Sequence, residues 1–600
     1  MLGVAEIRSA NATARNRVAA LVGILFLTCV CLAPALVPLL TLRSLVPLPE
    51  WTDATPLSSG QLKYVAQYTL LAVGASVALL SAILATYPIS LLRRTLHILS
   101  FSILLELFYR FAYGGPVSVG VLLSVGETSH RESWELIIGH PTLSAALALV
   151  AIIGFFAMII AWNARHRFSM AIPLRLGLLA LVMTALSASI AIHELQSTAS
   201  VTRLLSRELA GTFPIDLVGA MQSVVRTEWN IRRNAAARAA FQFPNARMVN
   251  AATRSASREI YIIVIGETSR RSNWSMYGYA RDTTPRLRGL RNELFIFNRV
   301  TSNATNTIQS LPLALSRADT TNMNRFRSER SIVGLLTQAG FETSWISNQE
   351  RSRSFDNPIT QIALEAGNVS FPDAVSGGAT GDRFDSNLLG RLDDQLSRSS
   401  NSTKVAIFLH MEGSHFSYRD RYPAGADRFP DADHPPRPLS KRKAQLVNEY
   451  DNTIYFTDYI LQQIITRLQH CECQAGLLFF SDHGERLFDS GSEDDDFGHG
   501  YPTVTQAEIE IPFFIFLSKD YQMHNPALVD TLRMHANAVA TLHNVFETIV
   551  DLSGATYDGR SSELSLFSKS FREPTSLSVL DVNENAVSFP VQEYPSQPRK

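Results

Sequence analysis

The sequence predicts a chain in two parts: an N-terminal α-helical membrane domain with five transmembrane helices, then a C-terminal α/β domain. Two observations carry this. Long apolar stretches crowd into the first third, at about 18–42, 64–92, 97–113, 142–163 and 172–193, and a span needs ~20 such residues. From residue 258 short β-branched and aromatic runs alternate with helical stretches, the pattern of a layered fold with a largely parallel sheet. Composition agrees. At 600 residues the chain exceeds one ordinary core. Its 18% of charged residues lies below the ~25% of an average soluble chain.

The first stretch is too long, and lacks a small-residue cleavage site soon enough, to be only a signal peptide. The third is broken by Glu106 and Arg110 and followed by Gly114, Gly115 and Pro116. Arg8, Arg15 and Arg17, then Arg93 and Arg94, then Arg165 and Arg167 fall on one side of the membrane, which should be the cytoplasm. Five crossings then put everything after about 195 outside, in a Gram-negative bacterium the periplasm. Four crossings plus a buried hairpin would reverse this. The expected boundaries are 1–195 for the membrane domain, 196–257 for an Arg-rich amphipathic bridge near the membrane surface, 258–570 for the α/β domain, and 571–600 for a flexible tail. In the α/β part, strands are expected at 260–265, 341–346, 405–409, 477–480 and 511–517, with helices at 331–339 and 444–468.

Lys plus Arg equals Asp plus Glu at 54 each, so no basic excess points to nucleic acid. Four cysteines are too few for a disulfide scaffold or a Cys-rich zinc module. Three expected strands end in polar residues of one chemical kind. The first runs into Gly266-Glu267-Thr268, the third into His410, Glu412 and His415, and the fourth into Ser481-Asp482-His483-Gly484-Glu485. Ligands bind beyond the carboxyl ends of strands in open α/β sheets. Carboxylates plus imidazole suit a divalent metal, zinc or manganese above calcium. A hydroxyl nucleophile could come from Ser302-Asn303-Ala304-Thr305-Asn306-Thr307, which precedes a helix-like segment. Such a helix start favours negative charge. From the residues alone, Thr305 is equally readable as an N-cap.

The stretch Gly266-Glu267-Thr268-Ser269-Arg270, continuing to Tyr277-Gly278-Tyr279 and Thr284-Pro285-Arg286, resembles a motif of the bacterial phosphoethanolamine transferases. The resemblance recurs at 302–312, at His410 and His415 with Arg421-Tyr422-Pro423, and at Tyr450-Asp451-Asn452-Thr453. It recurs again at Ser481-Asp482-His483-Gly484-Glu485 and at His499-Gly500-Tyr501-Pro502, so it covers about 258–550 in order. It implies an inner-membrane protein with five spans and a periplasmic sulfatase-like domain of the alkaline-phosphatase superfamily.

The resemblance further implies that Glu267, Thr305, Asp482 and His483 hold a catalytic zinc, with Thr305 as nucleophile and Thr307 as the competing choice. His410, His415 and His499 would bind phosphoethanolamine or transfer protons, around a second metal if one is used. Asn348, Arg353 and Glu132 fall where the family approaches its substrates. The implied donor is phosphatidylethanolamine, and the acceptor is lipid A or another periplasm-facing glycan. The chain departs from the lipid A members at Asn303-Ala304 and Leu313, where cysteines and a glycine are usual. Only Cys471 and Cys473 remain in this half, an unassigned pair, and the acidic insert 493–496 is atypical. Phosphoglycerol transfer or phosphodiester hydrolysis on the same scaffold is the nearest rival. A non-catalytic membrane sensor is the rival of another class.

Overall fold

The computed structural model of the chain describes residues 237–249, 258–349, 358–372, 384–430, 432–489, 497–501, 503–582 and 584–591. The five expected spans, Glu132, Arg353, the insert 493–496 and the cysteines Cys29 and Cys31 lie outside the described residues. Among the described residues, no helix is long and apolar enough to cross a membrane.

The sheet starts with β1 (Glu259–Gly266), all eight residues of which are buried. In chain order follow β2 (Leu294–Ile296), β3 (Arg299–Thr301), β4 (Glu342–Ser347), β5 (Asn368–Ser370), β6 (Lys404–His410), β7 (Gln474–Ser481) and β8 (Phe513–Leu517). All but β3 share one seven-stranded sheet, ordered β2-β8-β7-β1-β6-β4-β5. β1 is parallel to β6 and β7, and β4 is parallel to β6 and β5. β8, the last expected strand, is antiparallel to both β7 and β2.

Alternation along the strands builds two cores. Tyr261, Ile263 and Ile265 face one side, where α1 (Thr307–Leu315), α2 (Ile332–Gln338) and, later in the chain, the helix Val545–Ser553 pack. Ile260, Ile262 and Val264 face the other, covered by α3 (Ser386–Arg398) and α4 (Lys441–Gln469). Helices on both faces let the central strands be apolar on both, which is why they read as continuous runs. The 29-residue α4 also carries polar groups inward. Its buried Asp451 accepts from Asn273 Nδ2 at 2.6 Å, Tyr279 Oη at 3.0 Å and an Arg281 guanidinium nitrogen at 2.8 Å. Part of the motif around 277–286 is therefore scaffold, pinned to α4 by one carboxylate.

Two expected boundaries move. The bridge expected over 196–257 is, where described, part of the α/β domain: Phe243 is buried against Phe546 and Tyr557, and Arg247–Met248 pairs with Ala555–Thr556. An aromatic anchor outweighs the polar character of the segment. The tail expected from 571 contains a hairpin of β10 (Ser576–Leu580) and β11 (Ala586–Pro590). Its Leu577 and Phe589 pack on Val539 of β9 (Val539–Thr541), which pairs with β3. Cys471 and Cys473 are disulfide-bonded, with Cα atoms 5.2 Å apart, between α4 and β7.

Ile263 lies at the middle of the sheet with no solvent exposure. Ile263→Ala is expected to lower stability by about 2–5 kcal/mol, the cost of lost burial plus the cavity left behind, read as a lower unfolding temperature of the purified chain.

Candidate active site and metal centre

Strand register assembles the site. Gly266 stands opposite Ser481 across β1 and β7, and Ile265 opposite His410 across β1 and β6. The next residues, Glu267 on one strand and Asp482 and His483 on another, leave the sheet at the same level. Ligand atoms of Glu267, Asp482 and His483 all lie within 4.8 Å of one another, and all three residues are buried. His483 Nε2 is 3.6 Å from Glu267 Oε1 and 3.4 Å from Asp482 Oδ2.

The two candidate hydroxyls are placed differently. Thr307 Oγ1 donates towards Glu267, 3.1 Å from Oε1 and 3.3 Å from Oε2, and lies 3.4 Å from His483 Nε2. The Thr305 hydroxyl is fully buried and has no hydrogen-bond partner. The cause is where the helix begins. Asn306, not Thr305, is the N-cap: its side-chain oxygen accepts the Gln309 amide at 3.1 Å. Thr307 is thus the first residue of α1, with its hydroxyl at the positive end of the helix.

Tight loops hold the ligands. Thr268, at φ +55°, donates its hydroxyl to Glu267 Oε1 at 2.7 Å and its amide to Asp482 Oδ1 at 2.9 Å. Tyr450 of α4 donates to Thr268 O at 2.8 Å and accepts the Arg270 amide at 2.9 Å, locking that turn. His483 Nδ1 donates to Gly484 O at 2.8 Å, which leaves Nε2 as the free acceptor facing the cluster. Gly413 has φ +53°, and a β-carbon there would stand 2.7 Å from Glu267 O. Only glycine allows the loop after β6 to cross so close behind Glu267.

Two carboxylates this close cannot both ionise easily. Burial opposes ionisation of Glu267, yet His483, His415 and His410 hold its pKa at about 2. Burial and the Glu267 charge push Asp482 well above the usual carboxylate range. Asp482 Oδ2 is buried without a hydrogen bond. A divalent cation answers both the repulsion and the orphaned oxygen. Carboxylates, an imidazole and a hydroxyl together fit zinc.

The three further histidines are arranged unequally. The His499 ring is 4.3 Å from that of His483 and 6.4 Å from that of His415, and its Nδ1 lies 3.3 Å from Glu485 Oε1. Burial and the neighbouring histidines lower its proton affinity. Burial pushes the Glu485 carboxyl up to about 8. His415 Nδ1 pairs with Phe416 O at 2.8 Å. His410 is buried at the end of β6, its Nδ1 3.3 Å from Ser347 Oγ and its Nε2 without a partner, and burial lowers it to about 4.

Asn348, expected beside the substrate, instead binds the buried Asp385 at 3.0 Å and Arg391 at 3.1 Å. Asp385 in turn accepts the amides of Glu412 and Gly413 at 2.9 Å each, shaping the loop that leads to His415. The neighbouring Gln349, missed in the sequence, is the residue that reaches the cluster. Its Nε2 donates to Glu267 Oε2 and to Met411 O at 2.9 Å each. Its position just past β4 was the available signal, since β4 is adjacent to β6.

Gln349→Ala is expected to weaken zinc binding by about 10–100-fold, as loss of an outer-shell hydrogen bond does, measured by competition with a chelating dye. Gly413→Ala is expected to cost about 1–3 kcal/mol of stability by forcing a β-carbon into backbone, measured by thermal unfolding.

The family model named Sulfatase matches residues 259–555. Phosphoethanolamine transferase EptC of Escherichia coli K12 is 28% identical over 318 residues, 52% of this chain and 54% of that protein. The chain spans about half the length of the curated relatives it matches. The C-terminal periplasmic domain of Escherichia coli EptC, solved in complex with zinc, superimposes with a TM-score of 0.54 at 25% identity, covering 59% of this chain and 97% of that one. The integral membrane protein lipooligosaccharide phosphoethanolamine transferase A of Neisseria meningitidis shares the fold, with a TM-score of 0.70 at 21% identity over 92% of this chain and 98% of that one. With its motif residues gathered at one end of a sulfatase-type sheet, the chain is similar to phosphoethanolamine transferases over about half its length.

Proposed function

We propose that the chain transfers phosphoethanolamine from phosphatidylethanolamine to lipid A or another periplasm-facing glycan, through a covalent intermediate on Thr307. The observation that carries this reading is the Thr307 hydroxyl, set between Glu267 and His483 at the start of a nine-residue helix. Similarity to phosphoethanolamine transferases supports the transferred group, and the fold shared with an integral membrane protein supports an inner-membrane setting. The five spans read in 18–193 would anchor the domain beside substrates confined to a bilayer.

Glu267, Asp482 and His483 would hold zinc, with Thr307 beside them. When bound, zinc lowers the proton affinity of a coordinated hydroxyl and offsets charge on phosphoryl oxygens. Glu267 accepts the Thr307 hydrogen bond and aims the oxygen. The amide end of α1 favours the incoming phosphoryl group. Thr307 Oγ1 gives its proton to a neutral imidazole of the histidine cluster and forms a bond to phosphorus as the bond from phosphorus to the diacylglycerol oxygen breaks. That oxygen takes the same proton from the imidazole, His499, whose ring is 4.3 Å from that of His483, or His415, whose ring is 6.4 Å from that of His499. In the second half the acceptor oxygen gives up its proton to the same imidazole and attacks the phosphothreonine, and the imidazole returns that proton to Thr307 Oγ1 as the bond from Oγ1 to phosphorus breaks. Two half-reactions through one covalent intermediate produce ping-pong kinetics.

Mass spectra of lipid A and extracted glycans from cells expressing the chain test this. A phosphoethanolamine adduct is expected with the parent chain and with Thr305→Ala. It should be lost with Thr307→Ala, a fall of roughly 1,000-fold or more. An adduct that survives Thr307→Ala rejects the nucleophile. A phosphoglycerol adduct instead would change the donor assignment.

A further inference from the structure

The hairpin β10–β11 lies beyond the 259–555 family match, and the proposed chemistry makes no use of it. Its contacts nevertheless converge on the loop before Thr307. The Leu580 amide donates to Asn303 O at 2.8 Å, and Asn303 Nδ2 donates to Ser578 O at 2.9 Å. Ala304 and Leu580 run parallel as backbone partners. A third bond comes from β9's neighbour: the His543 amide donates to Asn303 Oδ1 at 2.9 Å. Asn303, 6% exposed, thus uses its carbonyl and both ends of its amide to hold the loop that delivers Thr307. Beyond α1, the hydroxyls of Thr320 and Ser578 meet at 2.6 Å, so the hairpin grips both sides of that helix.

The same hairpin reaches the histidine side. Val582, buried in the turn region, sits over Gly500, where a β-carbon would stand 3.5 Å from Val582 Cγ1. Gly500 follows His499. One C-terminal element therefore touches the backbone beside the nucleophile and the backbone beside a proton carrier. A nucleophile displaced by about 1 Å can lose ~100-fold in rate, so a loop held by hydrogen bonds alone needs such support.

We infer that the C-terminal hairpin is a positioning clamp for the nucleophile loop, with Asn303 as its central contact. The inference rests on Thr307 being the nucleophile. Its readout is the first half-reaction, which needs no acceptor: the purified full chain is mixed with phosphatidylethanolamine vesicles, and Thr307 labelling is followed by peptide mass. Asn303→Ala should slow the maximal labelling rate by about tenfold or more. Half-saturation by vesicles, zinc content and unfolding temperature should stay at parental values. Amide hydrogen exchange over 302–306 should speed up. A chain ending at Thr575 should show the same slow labelling and fast exchange.

Parental labelling rates in Asn303→Ala overturn the clamp. So does a rate that falls only in step with zinc content or unfolding temperature, which marks a purely structural residue. If the parent chain is never labelled at Thr307, the nucleophile reading fails instead. Hydrogen exchange at 302–306 still reports, independently, whether the hairpin restrains the loop.

Discussion

Two buried carboxylates, Glu267 and Asp482, face one imidazole at the ends of adjacent strands, and most of the surrounding structure exists to keep them there. Thr268, Thr307 and Gln349 donate to the two oxygens of Glu267, and the amides of Thr268 and His483 hold one oxygen of Asp482. Asp482 keeps its other oxygen bare. Like charges in a poorly solvated place repel, and the arrangement relaxes only when a cation or a proton enters. The Thr307 hydroxyl is placed in that field, with the helix start behind it. The candidate metal site and the proposed nucleophile are thus one electrostatic object.

The scaffold answers this cost with rigidity. Tyr450, on a long buried helix, locks the turn after β1. Asp385 draws in the amides after β6, and a glycine lets that loop cross directly behind Glu267. Much of the motif residue set is therefore support and not chemistry. Asp451 gathers three side chains, none of them a residue of the Glu267, Asp482 and His483 cluster. Asn348 holds a loop, while its neighbour Gln349 touches a ligand.

Reading the chain recovered β1, β6 and β7 because each is apolar on both faces and ends abruptly in polar residues. Helices at 332–338 and 441–469 were legible from periodicity. The strands of three residues, β2, β3, β5 and β9, were not, because runs that short carry no period. The segment 237–249 and the C-terminal hairpin were misjudged for a related reason. Their polar, Pro-containing composition resembles a linker, and the aromatic and aliphatic anchors Phe243, Leu577 and Phe589, with long-range backbone hydrogen bonds, attach them.

The order of residues along the chain determined which ligands a site could have, since Glu267, Asp482 and His483 each follow an apolar strand, and strand ends in a parallel sheet share one edge. It did not decide between Thr305 and Thr307. Two hydroxyls two residues apart have the same local chemistry, and the choice rests on where α1 starts. That is set by Asn306 taking the cap and by Asn303 being held from a hairpin 275 residues further along. Contacts of that separation leave no local pattern, so tertiary structure alone brings the Thr307 hydroxyl, and not that of Thr305, to Glu267 and His483.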